Sequence, residues 1–341
     1  PGFNKKRGGI MTNGAFNFPG SRWGKFDFHT HTPASKDFGR GDLSIKNNCT
    51  AEIWLQAAMK ANLDCVAVTD HNSGTWYDDL KNKYDANSFI FYDEDFLISK
   101  KRLIEFLDLI EQENLKFYWR IWTRVNYFRE NYLNRDLIVR LGKNGLRSVA
   151  MGAESGSQRI LDLIQKGIKV ENILHSAKML NETKITPRYS FIVGLDGEEK
   201  ADTKRTYKLC KDLMVINKRV DIAGPFIFRY YPGSPLFDRI IKNYNIEIPM
   251  KIEDWENALS DEGYLKLQKM PWLWPGCIET ASILNKEIYI YDKLRNFNNF
   301  ISTIIKWLIR WRLDNFNTKF LFELYAYNIM KKLYRKFWVY E

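Results

Sequence analysis

Short β-rich runs alternate with helix-forming segments over roughly the first 230 residues, and this alternation constrains the fold more than any other feature. Strands are expected over 24–30, 63–69, 88–92, 116–122, 146–151, 188–193 and 222–228. Helices are expected over 50–61, 75–84, 99–113, 132–143, 157–165, 170–181 and 200–217. The run LDCVAVT at 63–69 is almost wholly apolar, as in a strand buried on both faces of a parallel sheet. Strand, helix and strand in repetition define a parallel α/β protein. Gly145 and Gly167 stand where helices stop.

The pattern fades after Tyr231-Pro232-Gly233-Ser234-Pro235. Residues 255–280 read as loop-rich around Trp272 and Trp274, and helix is expected from Phe297 onward. There Phe322, Ala326, Ile329, Leu333 and Phe337 recur at the three-to-four spacing of one apolar stripe.

A chain of 341 residues with 45% hydrophobic content can bury a core, and its aromatic richness argues against disorder. No apolar run approaches the ~20 residues that a membrane span needs. Residues 1–19 are polar and glycine-rich, without a signal-peptide pattern, so a flexible N-terminus and a cytoplasmic location are expected. The net charge of +11 is uneven: residues 286–341 hold eleven basic and five acidic residues. That tail suits an anionic partner, nucleic acid or a membrane surface, or else forms a solvated helical face.

Three of the four histidines fall in two short motifs, Asp27-Phe28-His29-Thr30-His31 and Thr69-Asp70-His71-Asn72. Residues two apart in a strand face one side, so His29 and His31 can converge on one ion. Both motifs end strands of an expected βαβ unit, which puts them on one rim, with Asp37 nearby. Imidazole and carboxylate groups there suit Zn, Mn or Fe. The stretch 20–80, with KFDFHTHTPASKD and LDCVAVTDHNSG, resembles the start of a PHP (polymerase and histidinol phosphatase) domain. The resemblance implies metal-dependent phosphoester hydrolysis, with His29, His31 and His71 as ligands. Asp70 would be a ligand or would orient one, and Asp37 is a weaker candidate. The family completes its cluster with later histidines, whereas this chain has only His175 beyond position 71.

From residue 81 the motifs change. NSFIFYDEDF, WTRVN, VAMGAESGSQRILDLIQKG, YSFIVGLDGEEKADT and FRYYPGSPLFD follow in order. Their order and spacing are similar to strands two to six of the radical SAM superfamily, nearest to members with an N-terminal cobalamin-binding domain. The resemblance implies contacts to S-adenosylmethionine. Asp93 with Glu94 would meet its amino group, and Glu154 and Ser155 would touch the cofactor from the fourth strand. Gly194 and Gly197 would let backbone approach the adenosyl part, Tyr231 would lie near the adenine, and Arg124 would pair with the carboxylate. Taken alone, Gly-Ala-Glu-Ser-Gly is a strand-to-helix turn with Ser155 or Ser157 as cap.

The same family holds a [4Fe–4S] cluster through Cys-x-x-x-Cys-x-x-Cys after its first strand, because ligation needs thiolates converging from one loop. Here the cysteines are Cys49, Cys65, Cys210 and Cys277, with no such spacing. The PHP-like piece stands where that strand and loop belong. The change of motif near 77–83 is abrupt and has no linker, which favours a chimeric fragment over a natural fusion.

The expected fold is therefore α/β. A PHP-like βαβ segment at 20–80 precedes a partial parallel (βα) barrel of radical SAM type at 81–240, and a loop-rich, then basic and helical extension follows at 241–341. The expected behaviour is SAM binding, with a small-molecule substrate and without radical chemistry. A PHP-type phosphoesterase and a non-enzymatic binder of anionic partners are the alternatives.

Overall fold

The computed structural model describes residues 26–30, 65–68, 88–93, 95–230, 233–246, 270–323 and 325–327. The chain divides into two compact units, Pro1–Ala86 and Asn87–Glu341, a little beyond the join expected near residue 80.

In the first unit, β1 (Phe26–Thr30) pairs in parallel with β2 (Cys65–Val68). Phe26 lies opposite Cys65 and Thr30 opposite Val68, so both strands run to the same sheet edge. The helices expected over 50–61 and 75–84 lie outside the described residues.

The second unit is built on a five-stranded parallel sheet in sequential order: β3 (Ser88–Ile90), β4 (Tyr118–Thr123), β5 (Leu146–Glu154), β6 (Thr186–Val193) and β7 (Asp221–Ile227). All five strands expected there are present. Between them run α1 (Lys100–Gln112), α2 (Arg135–Lys143), α3 (Gln158–Leu163), α4 (Val170–Asn181) and α5 (Lys200–Ile216). The period of two decides which side chains enter the core. Trp119, Ile121 and Thr123 of β4, Val149, Met151 and Ala153 of β5, and Tyr189, Phe191 and Val193 of β6 are all buried. Each large side chain so buried contributes about 2 kcal/mol. On the other face Tyr118, Trp122 and Phe226 are exposed, and Trp122 stacks on Tyr92 with ring centroids 4.7 Å apart.

Helix starts follow the capping chemistry. Ser99 Oγ accepts from Arg102 N–H at 3.3 Å, and Asn134 Oδ1 accepts from Leu137 N–H at 3.0 Å. Ser157 precedes α3, but its hydroxyl makes no cap bond; it donates to Asp202 instead, at 2.6 Å.

The C-terminal part departs most from the expectation. A helix α6 (Pro235–Tyr244) follows β7 directly, with Ser234 as N-cap and Pro235 in its first turn. A long helix α7 (Cys277–Leu294) begins inside the stretch read as loop, and α8 (Phe300–Asn315) follows. Phe316 takes a left-handed conformation that ends α8, so the helix expected from Phe297 is interrupted there. Phe322 of the expected stripe is exposed, and Ile329, Leu333 and Phe337 lie outside the described residues. Both α7 and α8 pack against α5, and α7 also packs against β7. None of the described helices is long and apolar enough to cross a membrane.

Candidate functional site

Parallel strands deliver their C-terminal ends to one rim, where ligands of open α/β sheets bind. At the end of β3, Asp93 is exposed, and Glu94 lies outside the described residues. The anchored carboxylate is instead Asp95, which accepts from Thr123 Oγ1 at 3.1 Å and from the Tyr127 hydroxyl at 2.7 Å. Burial, then the bond to Asp95, pushes the Tyr127 hydroxyl up to about 12. Asp95 thus ties the ends of β3 and β4 together. The acidic run YDED in the sequence marks the place but not which acid turns inward.

Arg124 ends β4 and is exposed; its Nη2 donates to the Lys166 carbonyl at 3.0 Å. Lys166 Nζ donates to Glu154 Oε1 at 2.8 Å, and the Glu154 side chain is 15% exposed. Glu154 ends β5 with φ of +61°, a conformation that costs a non-glycine residue about 1 kcal/mol or more. Strain and a half-buried ion pair therefore coincide at one rim position, and Lys166 was not singled out by its sequence context.

Ser155 is fully buried and turned away from the rim. Its Oγ lies 3.2 Å from Thr206 Oγ1 and accepts from Ser157 N–H at 3.1 Å. Gly156 fits tightly against α5, where a Cβ would come within 2.4 Å of the Arg205 carbonyl oxygen. Asp202 locks this turn. It accepts from Ser157 Oγ, from Glu199 N–H at 3.1 Å and from Arg205 Nη1 at 2.9 Å, and it pairs with Arg159. Burial opposes ionisation, but these donors hold its carboxyl below its ordinary value.

After β6, Gly194 takes φ of +79°, and a Cβ there would meet Leu273 Cδ2 at 2.7 Å. Its carbonyl accepts from Trp272 Nε1 at 2.9 Å. Glu198 folds back under the loop, accepting from Gly194 N–H at 2.5 Å, Leu195 N–H at 3.0 Å and Thr203 Oγ1 at 3.0 Å. Burial pushes its carboxyl up to about 6 in spite of these donors. The Gly197 carbonyl accepts from Arg159 Nη2 at 2.9 Å. Tyr231, after β7, lies outside the described residues, as do His31, Asp37, Asp70 and His71; His29 belongs to β1.

Cys210 and Cys277 do not fit an iron–sulfur cluster. Cys210 lies in α5 and Cys277 opens α7, and both are buried. Burial raises the Cys210 thiol well above its ordinary value; burial, then Glu198 and Glu279, pushes Cys277 up to about 12. Ligation requires thiolates on one loop. Among the described residues no cluster of three or more His, Cys, Asp or Glu is placed to hold a metal ion.

A five-stranded parallel sheet with polar groups at the C-terminal ends of its strands defines an α/β protein. Residues 74–210 match the Radical SAM superfamily. It is 30% identical over 216 residues to an uncharacterised methyltransferase of Pyrococcus horikoshii, covering 63% of this chain and 43% of that protein. It is 28% identical over 183 residues to the anaerobic magnesium-protoporphyrin IX monomethyl ester cyclase of Rubrivivax gelatinosus, covering 51% of this chain and 32% of that protein. The chain thus spans less than half the length of these relatives. Among solved structures it is similar to the cobalamin-dependent S-adenosylmethionine radical enzyme OxsB, with a TM-score of 0.48 and 11% identity over 76% of this chain and 44% of that one. A second is the radical S-adenosylmethionine methyltransferase TsrM from Kitasatospora setae, with a TM-score of 0.38 and 16% identity over 48% and 32%.

Proposed function

We propose that the sheet rim binds S-adenosylmethionine and that this chain does not cleave it reductively. The observation that carries the reading is the Glu154–Lys166–Arg124 group at the ends of β4 and β5. A carboxylate beside two cations suits a zwitterionic amino acid head, with Glu154 facing the ammonium and Arg124 or Lys166 the carboxylate. Asp93, exposed beside the anchored Asp95, adds acceptor capacity, and the Gly194–Gly197 turn offers backbone for the nucleoside. Glu94, Ser155 and Tyr231 complete the set that the family resemblance suggests, Ser155 through its backbone because its hydroxyl is engaged. The four-iron cluster of the superfamily supplies an electron to the sulfonium when bound. The thiols of Cys210 and Cys277 are buried and protonated, which supports the reading that this chain does not hold that cluster.

Titration calorimetry of the full chain with SAM tests the first half. Saturable binding is expected, weakened about tenfold or more in Glu154→Ala by loss of a charge-assisted contact. No heat at millimolar SAM, or an affinity indifferent to Glu154→Ala and Arg124→Ala, overturns it. The second half predicts no 5′-deoxyadenosine from protein incubated with iron, sulfide and dithionite.

A second reading is supported by the parallel pairing of β1 with β2, which brings Thr30, within the first histidine motif, and Val68, just before the second, to one sheet edge. His29, His31, Asp70 and His71, with Asp37, would bind Zn or Mn and hydrolyse phosphoesters. Phosphate release from a generic aryl phosphate after Mn addition, abolished by His29→Ala, is the outcome it requires.

A further inference from the structure

The helix α8 buries Ile305, Ile309 and Leu313 against the rest of the unit. Its opposite side is apolar as well. Phe300, Ile304, Trp307 and Trp311 recur at spacings of four, three and four, and each is exposed, Phe300 by 80% and Trp307 by 57%. Residues at that spacing share one helix face. A stabilising core does not require them there, and water solvates them poorly. Ile301, exposed by 58%, widens the stripe on one side.

The other side of the stripe is cationic. Lys306 and Arg310 lie along it one turn apart, and Lys218, just after α5, is exposed. Lys306 Nζ donates to the Phe297 carbonyl at 2.6 Å, and burial, then Arg310 and Lys218, lower its affinity for its proton. The acid on the helix, Asp314, is already paired with Lys211 at 2.7 Å. Lys218 also lines a cavity of about 760 Å³ together with Arg219, Arg295 and Asp292, and Asp292 pairs with Arg295. Cations therefore outnumber free acids along this edge.

We propose that the outer face of α8 docks on an anionic phospholipid bilayer. Trp307, Trp311 and Phe300 would enter the headgroup–acyl boundary, and Lys218, Lys306 and Arg310 would meet the lipid phosphates. The chemistry distinguishes this occupant from nucleic acid. Tryptophan, phenylalanine and isoleucine beside lysine and arginine is the composition of helices that lie in a membrane interface. Ile304 within the stripe and Ile301 at its side give bases nothing to stack on, whereas acyl chains accept them. The excess positive charge of residues 286–341 acts in the same direction.

The test is sedimentation of the full chain with sucrose-loaded vesicles of phosphatidylcholine alone and of phosphatidylcholine with 30% phosphatidylglycerol. Binding to the second, weak binding to the first, and a blue shift of tryptophan emission are expected. Trp307→Ser with Trp311→Ser should lower the partition coefficient about tenfold or more while leaving the melting temperature unchanged, since both side chains already face solvent. Lys306→Gln with Arg310→Gln should lower it on anionic vesicles by roughly fivefold per charge and weaken its salt dependence. Three outcomes overturn the proposal: no sedimentation with anionic vesicles, binding that survives both double variants, or retention of a single-stranded RNA in place of vesicles. Self-association lost in the tryptophan variant without any vesicle binding overturns it equally, because the face would then meet a second copy.

Discussion

Two buried carboxylates near the rim respond to protons in opposite senses. The Glu198 carboxyl is raised to about 6, with burial the largest cause. A group raised on folding stabilises the fold below its unfolded value and loses that contribution as pH climbs through the folded value. Between about 4.5 and 6 the fold therefore loses roughly 2 kcal/mol from this residue. Glu198→Gln keeps an oxygen for the Gly194 and Leu195 N–H groups and removes the titration. Thermal melts at pH 5 and 7.5 should show the wild-type protein losing ground to the variant as pH rises. Asp202 is lowered, so its contribution is present above its unfolded value and fades as pH falls through the folded one. Removing it in Asp202→Ala orphans the Ser157 hydroxyl and the Glu199 N–H and should cost about 2–3 kcal/mol at neutral pH by urea unfolding. The sequence named Glu154, Arg124 and Gly194 from their motifs, and the structure puts each at a strand end on one rim. It did not distinguish Asp95 from Asp93, because a run of adjacent acids carries no sign of which one faces a threonine at the end of β4 and a tyrosine in the turn after it. Nor did it show that the Ser155 hydroxyl turns inward, since that depends on Thr206 fifty residues away.

The strands and helices between residues 88 and 217 were legible because each carries its own period and its own stop. Ser99 and Asn134 cap with side chains that the sequence displays, and Gly145 ends the α2 turn with φ of +93°. The two missed helices have a physical reason. α6 starts with Ser-Pro inside a run that resembles a turn, and the same proline that signals a turn also opens a helix. α7 begins at Cys277 straight after the Trp- and Pro-rich segment, and its buried residues include Glu287 as well as Leu284 and Ile288, which blurs its apolar stripe. That segment binds the extension to the rim. Trp272 is buried, its ring lies edge-on to Tyr230 at 5.8 Å and tilted against Tyr244 at 5.4 Å, and its N–H donates to Gly194. Trp272→Ala should cost about 3–5 kcal/mol, read as a lower urea midpoint with unchanged slope. Amide exchange should quicken first at residues 270–280 and in the Gly194–Glu198 turn. Trp272→Phe keeps the packing but loses the bond to the Gly194 carbonyl, so it should recover most of that stability and leave the turn labile.

At the scale of the molecule, the division after Ala86 separates two sets of chemistry that the sequence already read as distinct. The rim residues Asp93, Arg124, Glu154 and Gly194 all lie in the second unit, and the histidine motifs lie in the first. The second unit contains the five-stranded sheet with its helices and its own core. A fragment of residues 87–341 is therefore expected to melt in one cooperative transition. Ligand that binds only the folded form stabilises it by mass action, about 2.7 kcal/mol at a hundredfold excess over Kd. If SAM binds as proposed, fragment and full chain should gain the same stabilisation at the same SAM concentration, and added Mn should shift neither melt of the fragment. A fragment that folds but gains nothing from SAM, beside a full chain that does, would overturn the assignment of the site to the rim. A fragment that melts without cooperativity would show instead that the second unit does not fold on its own.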